Sequence, residues 1–312
     1  MEHHSGDCSR SARPAAPINF FSCDSIVGGT PGHMGHFARY DPRVNLRKEV
    51  YIPFWYLPNV LALDAPLLAM LWQTEFAQSI SLNLKPSSIL VLGISVWLVY
   101  AADRLLDGLR LIHSAPTTHR HAFFLRWRHH LIVAWVLILV LDLILAFSLL
   151  ESPEIIRGCI LAVLVTFYLG SVHLGPMKSR LPKEVFVAAI FTGGITIFSF
   201  GVVLPVASVI LFCALCFLNC AFIAKWEDQI DQAHGISSLA DRLPWVWKRL
   251  PLTATLLIGA CLITGLNSPQ PIVEIALATF GLVGLNQTRR YINPQLRRVL
   301  ADAVLLTPLL PF

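Results

Sequence analysis

The sequence predicts an all-α fold: a polytopic membrane bundle of about nine transmembrane helices in two roughly repeated halves. Three observations predict it. Of the 312 residues, 55% are hydrophobic and only 14% are charged, with a mean hydropathy of +0.63, whereas soluble domains carry about 25% charged residues. Apolar runs long enough to cross a bilayer recur along the chain. When these runs are threaded through a membrane from an inside N-terminus, all but two of the 24 Lys and Arg fall on the inner side, as the positive-inside rule requires. The two exceptions are Lys85 and Arg157.

Taken in order, residues 1–42 are rich in Ser, His, Gly and Pro and hold no long apolar stretch. They read as a mostly disordered cytosolic tail. A secretory signal peptide needs an apolar core that is missing here, and Glu2, Asp7 and Asp24 count against an organellar targeting peptide. Residues 43–312 form the transmembrane domain. Its expected spans are 53–80, 86–102, 130–150, 154–172, 184–200, 203–224, 250–267, 271–287 and 295–311. The Gly193-Gly194 pair allows a kink or a close helix contact. Polar segments near 103–129 and 225–249 follow the second and sixth spans, which is the basis for reading two related halves.

The net charge of +5 follows membrane topology and does not mark a nucleic-acid partner. The seven cysteines lie mostly in apolar runs and form no disulfide framework. Cys213, Cys216 and Cys220 share one helix stripe and read as small packing residues, because no His joins them as a convergent metal ligand.

Two acidic pairs carry the chemistry. Asp103 and Asp107 close the second span, and Glu227 and Asp231 close the sixth. Each pair has i,i+4 spacing, which on a helix places both carboxylates on one face, where like charges repel. Two such pairs on the same membrane side make a cage for a hard divalent cation, Mg²⁺, that also holds a substrate phosphate. The cations that a diphosphate needs lie nearby: Arg104 within the first pair, Arg110, His119, Arg120 and His121 after it, and Lys178, Arg180 and Lys183 in the next loop on that side. Any one of these is equally a topology-setting charge. Asp64, Asp142 and Asp302 stand inside apolar runs, where an ionisable residue is expensive. Asp64, with Asn59 shortly before it, is the candidate for a polar contact on the acceptor side, or else a polar link between helices. Phe54, Trp55, Tyr56, Trp97, Tyr100 and Phe167 are candidate walls of an apolar cavity, or interfacial and packing aromatics.

The run Trp226-Glu227-Asp228-Gln229-Ile230-Asp231-Gln232-Ala233-His234-Gly235-Ile236-Ser237-Ser238-Leu239-Ala240 resembles the second acidic motif of the UbiA superfamily of membrane prenyltransferases, D-x-x-x-D-x-x-x-G-x-x-[ST]-[LT]-[AP]. Glu227 and Asp231 fall on its acids, Gly235 on its glycine and Ser238 on its hydroxyl residue. Asp103-Arg104-Leu105-Leu106-Asp107 is similar to the end of the family's first motif, N-D-x-x-D-x-x-x-D. Tyr168, Lys178 and the Pro182-Lys183-Glu184 segment look like its tyrosine-to-lysine link. The resemblance covers roughly residues 50–312.

The departures are specific. Val99-Tyr100 stands where the first motif opens with Asn-Asp, Glu replaces Asp at 227, and the family's Arg-Pro element is replaced nearby by His119-Arg120-His121. The resemblance implies that Mg²⁺ held by Asp103, Asp107, Glu227 and Asp231 binds an isoprenyl diphosphate. Arg104, Arg120, Tyr100, Tyr168 and Lys178 would bind that substrate, with Asn59 and Asp64 nearer a hydrophobic, aromatic or lipid-like acceptor. The expected activity is Mg²⁺-dependent prenyl transfer within the membrane, with the N-terminus and both acidic motifs on the cytosolic side or the equivalent side of an organelle membrane. A membrane terpene cyclase and a non-catalytic protein retaining the fold are the competing expectations.

Overall fold

The computed structural model describes residues 53–110, 119–173, 183–199, 205–233, 244–265 and 271–311. The expected tail, 1–42, and Lys178 lie outside them. The described residues are 90% helical and contain no strand. The helices are α1 (Leu57–Val60), α2 (Asp64–Ser79), α3 (Pro86–Arg110), α4 (His119–Arg126), α5 (Arg128–Leu149), α6 (Ser152–His173), α7 (Lys183–Thr196), α8 (Val206–Ala233), α9 (Pro244–Gly265), α10 (Ile272–Thr288) and α11 (Pro294–Ala303). Short 3₁₀ turns precede α1, follow α7 and close the chain at Val304–Leu309.

Among the described residues five helices are long and apolar enough to cross a membrane: α3, α5, α6, α8 and α9. The α1–α2 pair makes a sixth if its two arms count as one crossing. The expected span 53–80 is therefore not one straight helix; it bends by 78° at Leu61–Leu63. Ala62 adopts φ 59° there and is fully buried. This left-handed backbone is costly for any residue with a Cβ. It ends α1 and leaves three carbonyls without helical partners. Side chains of α3 take them up: Arg104 Nη1 donates to Asn59 O and Val60 O, and Trp97 Nε1 donates to Leu61 O at 3.0 Å. Ala62→Val, a β-branched residue in a left-handed and filled position, is expected to lower stability by about 2 kcal/mol. Unfolding by denaturant titration in detergent measures this, and an unchanged midpoint would remove the strain argument.

The expected span 295–311 also differs. It is a ten-residue helix followed by a 3₁₀ segment containing Pro308, so no continuous α-helix forms. Asn293 caps α11, its side chain accepting the Gln295 N–H at 2.9 Å, with Pro294 in the first turn. The segment nevertheless runs the length of α10. Arg297 Nη1 donates to Arg289 O at one end, and Thr307 Oγ1 donates to Glu274 O at the other. Gly281 permits this approach, since a Cβ there would lie 2.9 Å from Val304 Cγ1. The Gly193-Gly194 pair is not such a close approach: Cβ atoms there would meet Leu161 of α6 and Leu92 of α3 at ordinary contact distances of 3.5–3.8 Å.

The core lies between α2, α7, α8, α9 and α10. Trp72, Phe76 and Phe212 form its aromatic centre, with ring centroids 4.5 Å apart for Trp72–Phe212 and 5.4 Å for Phe76–Phe212. Cys216 is buried and Cys213 packs against this core, as expected of packing thiols. By contrast α5 is wrapped in apolar side chains on nearly every face, and only 6% of its central stretch is buried against 44% for α8. That is the composition of a helix whose solvent is lipid.

Candidate functional site

Both acidic motifs belong to helices rather than to loops. Helix α3 continues to Arg110 and α8 to Ala233, so each i,i+4 pair spans one turn of regular helix. The Asp231 side chain lies outside the described residues.

Asp103 and Asp107 face α6. His173, whose side chain is 2% exposed, sits between them: Nε2 is 2.8 Å from Asp103 Oδ1 and Nδ1 is 3.8 Å from Asp107 Oδ1. His173 thus stands between two carboxylates one turn apart on α3. Arg104, the next residue after Asp103, points away from this pair. It is buried on the carbonyls of the α1–α2 break and lies over the Phe124 ring, 5.9 Å from its centroid.

Those carbonyls position a second polar group. Asn59 Nδ2 donates to Asp64 Oδ2 at 2.6 Å and reaches Asp302 Oδ2 at 3.5 Å. Asn219 Nδ2, from α8, donates to the other Asp302 oxygen at 3.3 Å. Asp64 opens α2, where the helix dipole favours a carboxylate. Tyr100 lies within the fields of both Asp64 and Asp302.

Glu227 is not free. Arg298 Nη1 of α11 donates to its Oε2. The neighbouring Arg297 lies over the Trp226 ring at 5.2 Å and donates to Trp226 O at 3.4 Å. In this structure the Glu227 charge, expected as a metal ligand, is paired with the Arg298 guanidinium.

The two motifs nevertheless share one environment. The Lys183 ammonium, at the start of α7, acts on Asp103, Asp107 and Glu227, and Arg120 of α4 acts on Asp107, Arg104 and Glu227. Tyr168 is buried against Phe186, with ring centroids 6.1 Å apart, and feels Asp103, Asp107 and Glu184. Asp103, Asp107, Glu227 and Arg298 keep side-chain exposures of 44, 32, 20 and 21%. All four side chains therefore stay partly open to solvent.

The far end of the bundle is simpler. Lys85 and Glu151 pair there at 2.5 Å, on the surface. The hydrogen bond and charge of Glu151 hold the Lys85 ammonium above its ordinary range, and Lys85 holds the Glu151 carboxyl below its own. Solvent screening makes such a pair a weak contributor to stability.

Of the expected substrate-side residues, Arg120 and Tyr168 act on the acidic pairs, whereas Arg104, Asn59, Asp64 and Tyr100 belong to the polar group at the α1–α2 break. Phe54 and Phe167 do not; they are 86% and 67% exposed on the outside of the helices. Among the described residues no group of three or more His, Cys, Asp or Glu side chains converges as a metal site. Three contributors had no role in the sequence reading, and a fourth, Glu184, entered only within the Pro182-Lys183-Glu184 segment. His173 ends an apolar run at the level of Asp103, and that position was its only signal. Arg298 looked like any topology-setting charge. Asn219 is a lone polar residue in an apolar helix. Glu184, beside Lys183, is 2% exposed with neither carboxyl oxygen hydrogen-bonded among the described residues.

Comparison of the chain with family models, curated proteins and solved structures returned no match.

Proposed function

We propose that this chain is an integral membrane prenyltransferase of the UbiA type, transferring an isoprenyl group from its diphosphate to a hydrophobic acceptor. The observation that carries the proposal is that Asp103, Asp107 and Glu227 stay partly open to solvent and all lie within the field of Lys183, with Arg120 acting on Asp107 and Glu227. A diphosphate leaving group needs that mixture. Carboxylates hold the cation that accompanies it, and fixed ammonium and guanidinium groups take up the charge that grows on departure.

The donor set fits Mg²⁺ in part. Asp103 and Asp107 offer hard oxygens on one helix face. Glu227 and Asp231 would complete the set from α8, Glu227 by exchanging Arg298 for the cation and its phosphate. Bound there, Mg²⁺ would lower the cost of breaking the allylic C–O bond. Arg120 and Lys183 orient the phosphate oxygens, with Lys178 added from its loop. Tyr100 and Tyr168 supply ring faces or hydroxyls toward the substrate.

The finer architecture belongs to the same proposal. The α1–α2 pair, α3, α5, α6, α7, α8, α9, α10 and the closing α11 segment give nine crossings in two related halves, with the N-terminus and both acidic motifs in the cytosol. Topology reporters inserted at residues 115 and 240 are expected to read the same, cytosolic, side. Opposite readings would separate the motifs and end the shared-site argument.

A terpene cyclase is the second reading, favoured by Tyr100, a ring set beside Asp64 and Asp302 where the family motif has an acid. Both readings predict Mg²⁺-dependent release of diphosphate from an allylic substrate by the purified protein in nanodiscs. Products formed with and without an aromatic acceptor separate the two. Absence of release across allylic diphosphates from dimethylallyl to geranylgeranyl would leave the non-catalytic alternative.

A further inference from the structure

A group of cations where α8, α9, α10 and α11 meet takes no part in the acidic site. Arg289, directly after α10, donates through Nη1 to Asn286 O at 2.8 Å and to Asn286 Oδ1 at 3.2 Å. Trp226 Nε1 of α8 donates to the same Oδ1 at 3.4 Å. Arg297 of α11 lies over the Trp226 ring, 5.2 Å from its centroid, and donates to Arg289 O at 3.1 Å and Trp226 O at 3.4 Å. Lys225, one residue before Trp226, donates through Nζ to Trp247 O of α9 at 3.1 Å. Arg289 acts on both Lys225 and Arg297. The next residue, Arg298, turns instead to Glu227, so the two consecutive arginines of α11 serve different sites.

What this group lacks is an anion. Every acceptor held by Lys225, Arg289 and Arg297 is a backbone carbonyl or the Asn286 amide. Among the described residues none of the three is ion-paired. Glu227, whose field reaches Arg297, is committed to Arg298. Like charges gathered in this way repel, and an anion offsets that cost. Two N–H donors of the same group, Arg297 Nε and Trp247 Nε1, are buried without a hydrogen-bond partner among the described residues. An unpaired buried donor is costly, and its complement is an acceptor oxygen. Gathered cations and spare donors together match a phosphate, which brings negative charge and several acceptor oxygens at once.

The depth of the group says where that phosphate comes from. The apolar stretch of α8 runs to Asp228 and that of α9 starts at Trp245. Lys225 and Trp247 therefore sit close to the ends of their spans, at the level where hydrocarbon gives way to lipid headgroups. Trp245 and Tyr291 are 55% and 91% exposed at these ends, and Arg249 lies over the Trp245 ring at 5.7 Å, a pairing of aromatics and cations suited to the interface. We infer that Lys225, Arg289 and Arg297 bind the phosphate of an anionic phospholipid at the end of the bundle that carries Glu227. A zwitterionic headgroup fits worse, because its ammonium would join three cations already crowded together. The site stands apart from the prenyl-transfer reading, since it uses none of the residues of that reaction.

Native mass spectrometry of the full-length protein in detergent tests the inference. The probes are palmitoyl-oleoyl phosphatidylglycerol and the phosphatidylcholine with the same chains. Phosphatidylglycerol is expected to bind about tenfold more tightly. Lys225→Gln combined with Arg289→Gln should weaken its binding by about tenfold and leave phosphatidylcholine unchanged. Lys248→Gln combined with Arg290→Gln removes the same charge from exposed positions and should bind as the parent does. If the first pair does not fold, Arg289→Gln alone is read in the same way, with about a fivefold loss expected. Equal binding of the two lipids, or an equal loss in the exposed pair, would overturn the inference and leave these charges as topology signals. Displacement of the bound lipid by inorganic phosphate would assign the group to a soluble phosphate and overturn its lipid source.

Discussion

Asp103→Asn is expected to reduce Mg²⁺-dependent diphosphate release by about 10²-fold or more, since a positioned divalent cation contributes several kcal/mol to leaving-group stabilisation. The substitution keeps the shape of the side chain and its hydrogen bond to His173 while removing the charge that a cation needs. Folding should change little. The Asp103–His173 contact leaves the carboxylate 44% exposed, and solvent screens much of what such a pair gives. The contrast is the test: release assayed with labelled farnesyl diphosphate should collapse while the melting temperature in detergent stays close to that of the parent. Normal turnover in the variant would show that α3 supplies no cation ligand. Equal loss of folding and activity would make the Asp103–His173 contact a structural one.

Trp72→Ala should give the opposite pattern, with a stability loss of about 3–5 kcal/mol. Trp72 is fully buried, packs on Phe76 and Phe212, and donates its indole N–H to Leu305 O at 2.9 Å. Truncation opens a cavity at the centre of the core and orphans the Leu305 carbonyl. That carbonyl belongs to the closing 3₁₀ segment, which begins two residues after Asp302. Trp72→Phe refills most of the volume without the N–H and should recover over half of the loss. Chemical denaturation of both variants in one detergent measures the difference, and equal midpoints for Ala and Phe would mean that the site has collapsed around the missing ring.

The apolar periodicity and the two i,i+4 pairs were legible in the sequence because both are local. Helix α3 carries Asp103 and Asp107 on one face, and α8 carries Glu227 within its regular helical turns, as spacing alone requires. The bend at Ala62 was not legible, since nothing in Leu61-Ala62-Leu63 announces a left-handed residue, and no glycine marks it. The partner of Asn59 was hidden for a different reason: Asp302 is 243 residues away, and no period in the chain connects them. Arg298 shows the limit of charge counting. A guanidinium that sets topology and one that neutralises Glu227 look alike until the helices are packed. Tyr100, out of place beside the family motif, gains a reason from its surroundings, because Asp64 and Asp302 are its neighbours there.

Helix α5 carries a consequence of its own. Its 22 residues extend about 33 Å at 1.5 Å per residue, against a hydrocarbon thickness of about 30 Å. It is tied to the bundle by few polar links: Ser95 Oγ donates to Asp142 at 2.6 Å, and Trp135 Nε1 donates to Leu98 O at 2.8 Å. Both links land on α3, one to two turns before Asp103. Bilayer thickness is thereby registered on the helix that carries the first acidic pair. A tilt of α5 in a thinner membrane would pull on α3 through these two links, so activity is expected to vary with lipid chain length in nanodiscs.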